Sequence, residues 1–327
     1  MDLDLVFLGT SGSAPTARRA PSALLVRRGG ERLLFDCGEG TQRQLLQSSV
    51  GLVDLREIFL THFHLDHWLG LPGMLKTFAL RDRELALTVH GPPGLKDLFG
   101  ELRRIVGRLP YPLELVEVRG GDALERDDYR VLVVPVSHGT AAVGYALVEA
   151  ARPGRFDVET ADALGVPPGP ERGALQHGES ITLADGRVLT PDAVLGPARA
   201  GRTVVYSGDT GPAGEVLGVV AEGADLLVHE ATFAEEESGR AADTQHSTAR
   251  QAAELARAAG VTMLALTHVS PRYFGPELLR EAREIFPATV LPRDFDTIEV
   301  PFAERGEPRL VKGGGLPKPA DDKVPAS

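Results

Sequence analysis

Short apolar runs separated by polar or glycine-containing turns fill the first sixty positions: LDLVFL at residues 3–8, ALLV at 23–26, LLFD at 33–36 and IFL at 58–60. Runs of this length and aliphatic content predict β-strands. Residues 94–106 place their apolar side chains at helical spacing, and strand character returns at 113–118, 130–136 and 143–148. The second half alternates more regularly. Strands are predicted at 203–207, 226–230 and 263–267, each running into a polar loop and then a helical pattern. Helices are predicted at 247–259, with Ser247 as N-cap and Gly260 as the stop, and at 276–285. The sequence has no internal repeat.

Residues 151–202 interrupt this alternation with GVPPGPERG at 165–173 and GPARAGR at 196–202. The segment reads as a flexible inserted arm, and loops of this length within a compact domain are usually functional. From Gly306 onward the chain has too few apolar residues to pack, so 306–327 is predicted to be a disordered tail. Residues 1–305 then fit one large domain around a continuous core.

No apolar run approaches the roughly 18 residues of a membrane helix. The opening MDLDLVFLGT carries no basic segment ahead of its apolar stretch, so the expectation is a cytoplasmic protein without a membrane partner. Cys37 is the only cysteine; an internal disulfide and a thiolate metal cluster are both excluded, and any metal must sit on His, Asp or Glu. With 35 basic and 46 acidic residues the formal charge is −11. That argues against coating nucleic acid by bulk electrostatics, and no DNA partner is expected. An RNA ligand would need local basic patches. The candidates are Arg18 with Arg19, Arg27 with Arg28, Arg103 and Arg104 with Arg108, and Arg199 with Arg202, although any one of them reads more simply as solvated surface.

The densest chemistry lies in THFHLDHWLGLPG at 61–73. His62, His64, Asp66 and His67 follow directly on a strand; in an extended backbone alternate residues share a face, so His62 and His64 can grip one ion while Asp66 and His67, past the turn, face a second. Burying three imidazoles and a carboxylate together without a cation would be costly. Two ions need further ligands, and later strands deliver one each at their exits: His138 after VLVVPVS, Asp209 in SGDT and His268 in LTH. A rigid scaffold presents a site in this way. His90 and His177 fall outside every motif, and Trp68 reads as a packing residue.

HxHxDH, a downstream His, the Asp of SGDT and the His of LTH together resemble the metallo-β-lactamase superfamily. That resemblance implies an αββα sandwich with the inserted flexible arm, and two zinc ions per subunit at one edge, with manganese or iron as alternatives. It assigns His62, His64 and His138 to one ion and Asp66, His67 and His268 to the other, with Asp209 bridging. Leu65 departs from the glycine common within HxHxDH without removing a ligand. FLGTSGSAPTARRAPSALLV at 7–26, FDCGEGTQRQLL at 35–46, GLPGML at 70–75, GVPPGP within the arm, HEATF at 229–233, HST at 246–248 and LTHVSPRY at 266–273 are similar to the ribonuclease Z family. This likeness runs from Leu3 to about Val300 and implies a homodimeric endonuclease that removes the 3′ trailer of precursor tRNA by attack of a metal-activated water, leaving a 3′ hydroxyl on the tRNA.

The same resemblance gives His246 the role of protonating the departing oxygen, with Glu230 orienting it, and makes Asp66 both ligand and proton acceptor. His229 is structural. Ser270, Arg272 and Tyr273 are read as substrate contacts, and the arm as the exosite that grips the tRNA elbow across the partner subunit. The competing readings are another hydrolase of this fold, such as an arylsulfatase or a small-molecule phosphodiesterase, and a non-catalytic RNA-binding relative. The arm with HEAT and HST disfavours the first, and the full set of seven ligand positions disfavours the second.

Overall fold

The computed structural model describes residues 1–52, 54–212 and 215–313. Its first half builds one sheet. β1 (Leu3–Gly9), β2 (Ala23–Arg28) and β3 (Glu31–Phe35) form an antiparallel meander. Helix α1 (Thr41–Gln47) leads to β4 (Glu57–Phe59), parallel to β3. The parallel run continues through α2 (Leu65–Trp68), α3 (Leu71–Leu80), β5 (Leu87–Gly91), α4 (Leu95–Val106) and β6 (Leu113–Glu117).

The second sheet opens with antiparallel β7 (Ala123–Glu125), β8 (Tyr129–Pro135) and β9 (Val143–Glu149). The chain then makes the arm, with α5 (Val158–Ala163), α6 (Pro170–Gln176) and the hairpin β10 (Ile181–Thr182) and β11 (Val188–Leu189). It returns as β12 (Thr203–Tyr206), α7 (Glu215–Val220), β13 (Leu226–Glu230), α8 (Ser238–Thr244), α9 (Ala249–Ala259), β14 (Met263–Thr267), α10 (Pro276–Ile285) and β15 (Thr289–Val290). Last, β16 (Thr297–Glu299) and β17 (Arg309–Val311) cross back to extend the first sheet beside β1.

Alternation along the strands decides the layers. Leu33 and Phe35 point into the space between the sheets with Phe7, Phe59, Tyr145 and Val228. Leu34 points the other way, under the helical layer that carries Met74, Leu75 and Phe99. On the far side, Ala249, Ala252, Ala253 and Ala256 of α9 are fully buried. Their small side chains, at spacings of three and four, bring the helix close onto Leu227 and Leu264. The result is the expected αββα sandwich.

Several expectations change in detail. The N-cap of α9 is Thr248, in a reciprocal capping box with Gln251; the Ser247 hydroxyl instead donates to the Thr210 carbonyl at 2.7 Å, a tertiary contact that local sequence does not reveal. The arm is not a structureless loop, because its helices and hairpin enclose a small core of Ala161, Val166, Leu175 and Val194. Order also extends past Gly306: Leu310 pairs with Ile298 in the first sheet, and the rest of the expected tail, 314–327, lies outside the described residues. Arg28 and Arg202 belong to no surface patch. Both are buried and both bind Glu149, at 2.8 and 2.7 Å.

Candidate metal centre

The seven expected ligand residues arrive on separate elements at one edge of the sandwich. Past the end of β4 the chain runs through Leu60 and Thr61 to His62, and the short α2 turns Asp66 and His67 back toward it. His138 follows β8, Asp209 follows β12 and His268 follows β14. Ligand-type atoms of His62, His64, His138 and Asp209 lie within 4.8 Å of one another, and so do those of Asp66, His67 and His268. Asp209 Oδ2 reaches both sets: it is 3.7 Å from His62 Nε2 and 3.3 Å from the Nε2 atoms of His67 and His268. The structure thus brings all seven together, with Asp209 between the two groups.

Neighbouring side chains choose which ring nitrogen faces the pit. His67 Nδ1 donates to Asp36 Oδ2 at 2.8 Å, and His138 Nδ1 donates to the Gln245 carbonyl at 3.0 Å. The Thr232 hydroxyl donates to Glu230, so its 2.8 Å contact with His268 Nδ1 makes the ring the donor. By the same logic the Thr61 hydroxyl, committed to Asp36, accepts from His62 Nδ1. All four rings therefore turn Nε2 toward the pit, whereas His64 presents Nδ1, 3.2 Å from His138 Nε2. His268 adopts a left-handed backbone, φ 56°, a conformation that costs about 1–3 kcal/mol and tends to persist at functional sites. Gly12 lies against this ring: a Cβ there would be 2.7 Å from His268 Nδ1.

Asp36 is the residue that sequence reasoning missed. Fully buried with φ 58°, it accepts from Thr61 N, Thr61 Oγ1, His67 and the Tyr206 hydroxyl. Its place at the end of β3, in FDCGEG, is the only signal the sequence offers.

Electrostatics and satisfaction both fit a divalent cation. Burial alone would lower the His67 pKa, but Asp209 and Asp36 outweigh it and raise it well above the usual value; the same negative field attracts a metal ion. Burial pushes Asp66 up, yet His268 and His67 hold it well below the ordinary carboxylate range. His62 Nε2 and Asp209 Oδ1 are buried without a hydrogen-bond partner among the described residues, a condition costing about 1–3 kcal/mol per group. A cation coordinated by both removes that cost. His90 Nδ1 and His229 Nε2 are also unpartnered, but among the described residues neither belongs to a group of ligand-type side chains able to share an ion.

On the rim, His246 Nδ1 bonds Glu230 Oε1 at 2.9 Å. Glu230 is fully buried and also accepts from Thr210 N, Thr232 Oγ1 and Ser247 N. Burial would raise this carboxyl, but the His246 hydrogen bond outweighs it and Glu230 falls below its usual value. Burial would lower His246, but Glu230 raises it to about 9. The ring sits 5.0 Å from that of His138 and 5.3 Å from that of His268, centre to centre.

The remaining candidates fall elsewhere. Arg272 and the Tyr273 hydroxyl both bind Glu237, and Ser270 is buried with a long contact to Arg272 N; none of the three joins the ligand groups. His90 stacks on Phe59 and bonds Glu57 at 2.8 Å. His177 bonds the Gly173 carbonyl within the arm, and buried His229 bonds the Glu230 carbonyl. Trp68 is buried and donates to the Phe63 carbonyl.

A sandwich with this histidine and carboxylate pit at its edge defines a protein of the metallo-β-lactamase superfamily. The metallo-beta-lactamase superfamily matches residues 16–150 and the beta-lactamase superfamily domain matches residues 173–269. The chain belongs to the ribonuclease Z family. It is 49% identical to ribonuclease Z of Haloferax volcanii over 93% of this chain and 97% of that protein, and 43% identical to that of Methanosarcina acetivorans over 92% and 99%. Among solved structures it is similar to the short form of human tRNase Z, with a TM-score of 0.66 and 26% identity over 91% of this chain and 99% of that one.

Proposed function

We propose that this protein is a zinc-dependent endoribonuclease that removes the 3′ trailer from precursor tRNA and leaves a 3′ hydroxyl on the tRNA. The observation that carries the reading is the His246 and Glu230 pair standing over two ligand groups joined by Asp209. His62, His64 and His138 would hold one ion and Asp66, His67 and His268 the other, with Asp209 shared. Zinc suits this imidazole-rich set, and manganese or iron would also fit. When bound, such ions lower the pKa of water and offset charge on a phosphodiester.

The protein's own groups do the rest. Asp66 Oδ2 accepts from Ser13 N at 2.7 Å, which holds the carboxylate in place to take a proton from the attacking water. Glu230, with its other donors fixed, pins His246 through Nδ1 and leaves Nε2 to protonate the departing 3′ oxygen. The folded arm gives an acidic protein a separate surface for the tRNA elbow, and in a homodimer it reaches across the partner subunit. The enzyme would act in the cytoplasm.

The test is to incubate the zinc-loaded protein with precursor tRNA, a nitrophenyl phosphate diester and a nitrophenyl sulfate ester, mapping the RNA product ends. Cleavage at the trailer junction supports the proposal. Hydrolysis of the esters alone sinks it in favour of an arylsulfatase or a small-molecule phosphodiesterase.

A further inference from the structure

The arm leaves and rejoins the sandwich through a narrow neck. Arg152 and Arg199 face each other across it and exchange backbone hydrogen bonds at 2.7 and 2.9 Å. Gly196 N donates to the Arg155 carbonyl, and a Cβ on Gly154 would fall 1.9 Å from Gly196 O, so the two legs touch backbone to backbone. The neck stands on a turn near the C-terminal end of the domain. Glu304 accepts two bonds from the Arg152 guanidinium, at 2.9 and 3.0 Å, and one from Arg199 at 3.2 Å. The Phe302 ring carries the Arg152 guanidinium 3.4 Å from its centroid and that of Arg202 at 4.0 Å.

Arg202 is in turn locked to Glu149 and to the Val300 carbonyl. Contacts therefore run unbroken from the second sheet to both legs of the arm. Exposed ion pairs are usually worth little because each side chain must be ordered for one contact. Here a single carboxylate orders two arginines, one of them through a two-pronged bond, and an aromatic face fixes the plane of that guanidinium. Such an assembly restrains an angle as well as a distance.

We propose that Phe302 and Glu304 are positioning residues for precursor RNA: they set the angle at which the arm stands, and with it the span between the arm and the metal pit. The inference rests on the arm being an RNA-binding exosite. A substrate held at two places gains from the second contact only as far as the protein presents both at the right separation. A loosened mount therefore weakens binding of the long substrate and leaves the chemical step alone.

The experiment uses the full zinc-loaded chain with Glu304→Ala, and with the charge swap Glu304→Arg combined with Arg152→Glu. For Glu304→Ala we expect KM for precursor tRNA to rise about tenfold, with kcat and hydrolysis of a nitrophenyl phosphate diester unchanged. Amide hydrogen exchange should accelerate at 152–157 and 194–199, and the swap should restore part of both. Unchanged KM and exchange would overturn the inference, and so would a fall in KM, since Arg152 and Arg199 would then serve the RNA directly. A parallel variant lacking 155–196 separates this failure from that of the exosite. If the deletion retains diester hydrolysis and leaves the precursor KM untouched, the exosite reading falls and the RNA role of the mount falls with it. If the deletion raises KM while Glu304→Ala does not, only the positioning role is lost.

Discussion

Two clusters of buried polar side chains, the pit that gathers the histidines and the arginine pair around Glu149, use similar materials to opposite ends. Around Glu149, the carboxylate binds Arg28 Nε and the Arg202 backbone N, Nε and Nη2, while Arg28 Nη2 reaches Asp128 and Arg202 Nη1 reaches the Val300 carbonyl. No side-chain atom of Arg28, Glu149 or Arg202 is left buried and unpartnered. In the pit, His67 Nε2 and His268 Nε2, on rings whose Nδ1 atoms are already taken by Asp36 and Thr232, face each other at 3.3 Å, while His62 Nε2 and Asp209 Oδ1 have no partner among the described residues. Burial and charge are common to both. Satisfaction separates them: a closed network holds the fold, and an open one holds something the chain does not supply.

Cutting the open network should change function far more than folding. Asp209→Ala should lower bound zinc and abolish precursor cleavage and diester hydrolysis, a loss exceeding the 10 to 100-fold, roughly, that comes from removing an outer partner of a ligand; metal analysis and both assays check this, and a stoichiometric, active variant would break the comparison. His246→Ala should reduce precursor cleavage by about 10²–10⁴ and spare the nitrophenyl diester, whose leaving group needs no proton. Equal losses on the two substrates would instead place His246 in metal or substrate binding.

Cutting the closed network should do the reverse. Glu149→Ala strands two buried guanidiniums and should destabilise the protein by about 3–5 kcal/mol, measured by urea unfolding, with zinc per folded molecule unchanged. Asp36→Asn lies between the two cases, because it disturbs the hydrogen bond that orients His67; metal affinity or turnover should fall about 10 to 100-fold, and a normal zinc titration would remove Asp36 from the site. The smallest effect concerns acid. Burial pushes Glu149 up, but the hydrogen bonds from Arg202 outweigh it and hold its folded pKa below the usual 4.5. The stability it contributes is present above that value and is lost as pH falls through the folded one. Unfolding curves of the wild type and Glu149→Gln should therefore converge on the acid side, and a constant gap down to the folded value would contradict this.

What could be read in advance followed locality. β13, β14 and α10 occur within the predicted bounds because their patterns are self-contained. The seven ligand positions were visible because each follows an apolar strand. α1, α3 and β5 went unrecognised among the polar and glycine-rich stretches beside them. Asp36 and Glu149 were out of reach for another reason. Their partners lie 25 to 170 residues away for the first and 53 to 121 for the second, so no window of sequence contains the interaction. The same distance hides the burial of Arg28 and Arg202, which as isolated arginines read as surface charge.

The return of β16 to the side of β1, with Leu5 opposite Ile298, has a consequence during synthesis. β1 is made before the other described strands and finds β2 at once, but the strand for its other edge is made almost three hundred positions later. Until then that edge is an open template for foreign strands. The nascent chain therefore carries that open edge throughout the making of both sheets, and lengthened pauses in elongation anywhere between β2 and β16, within the arm included, should lower yield.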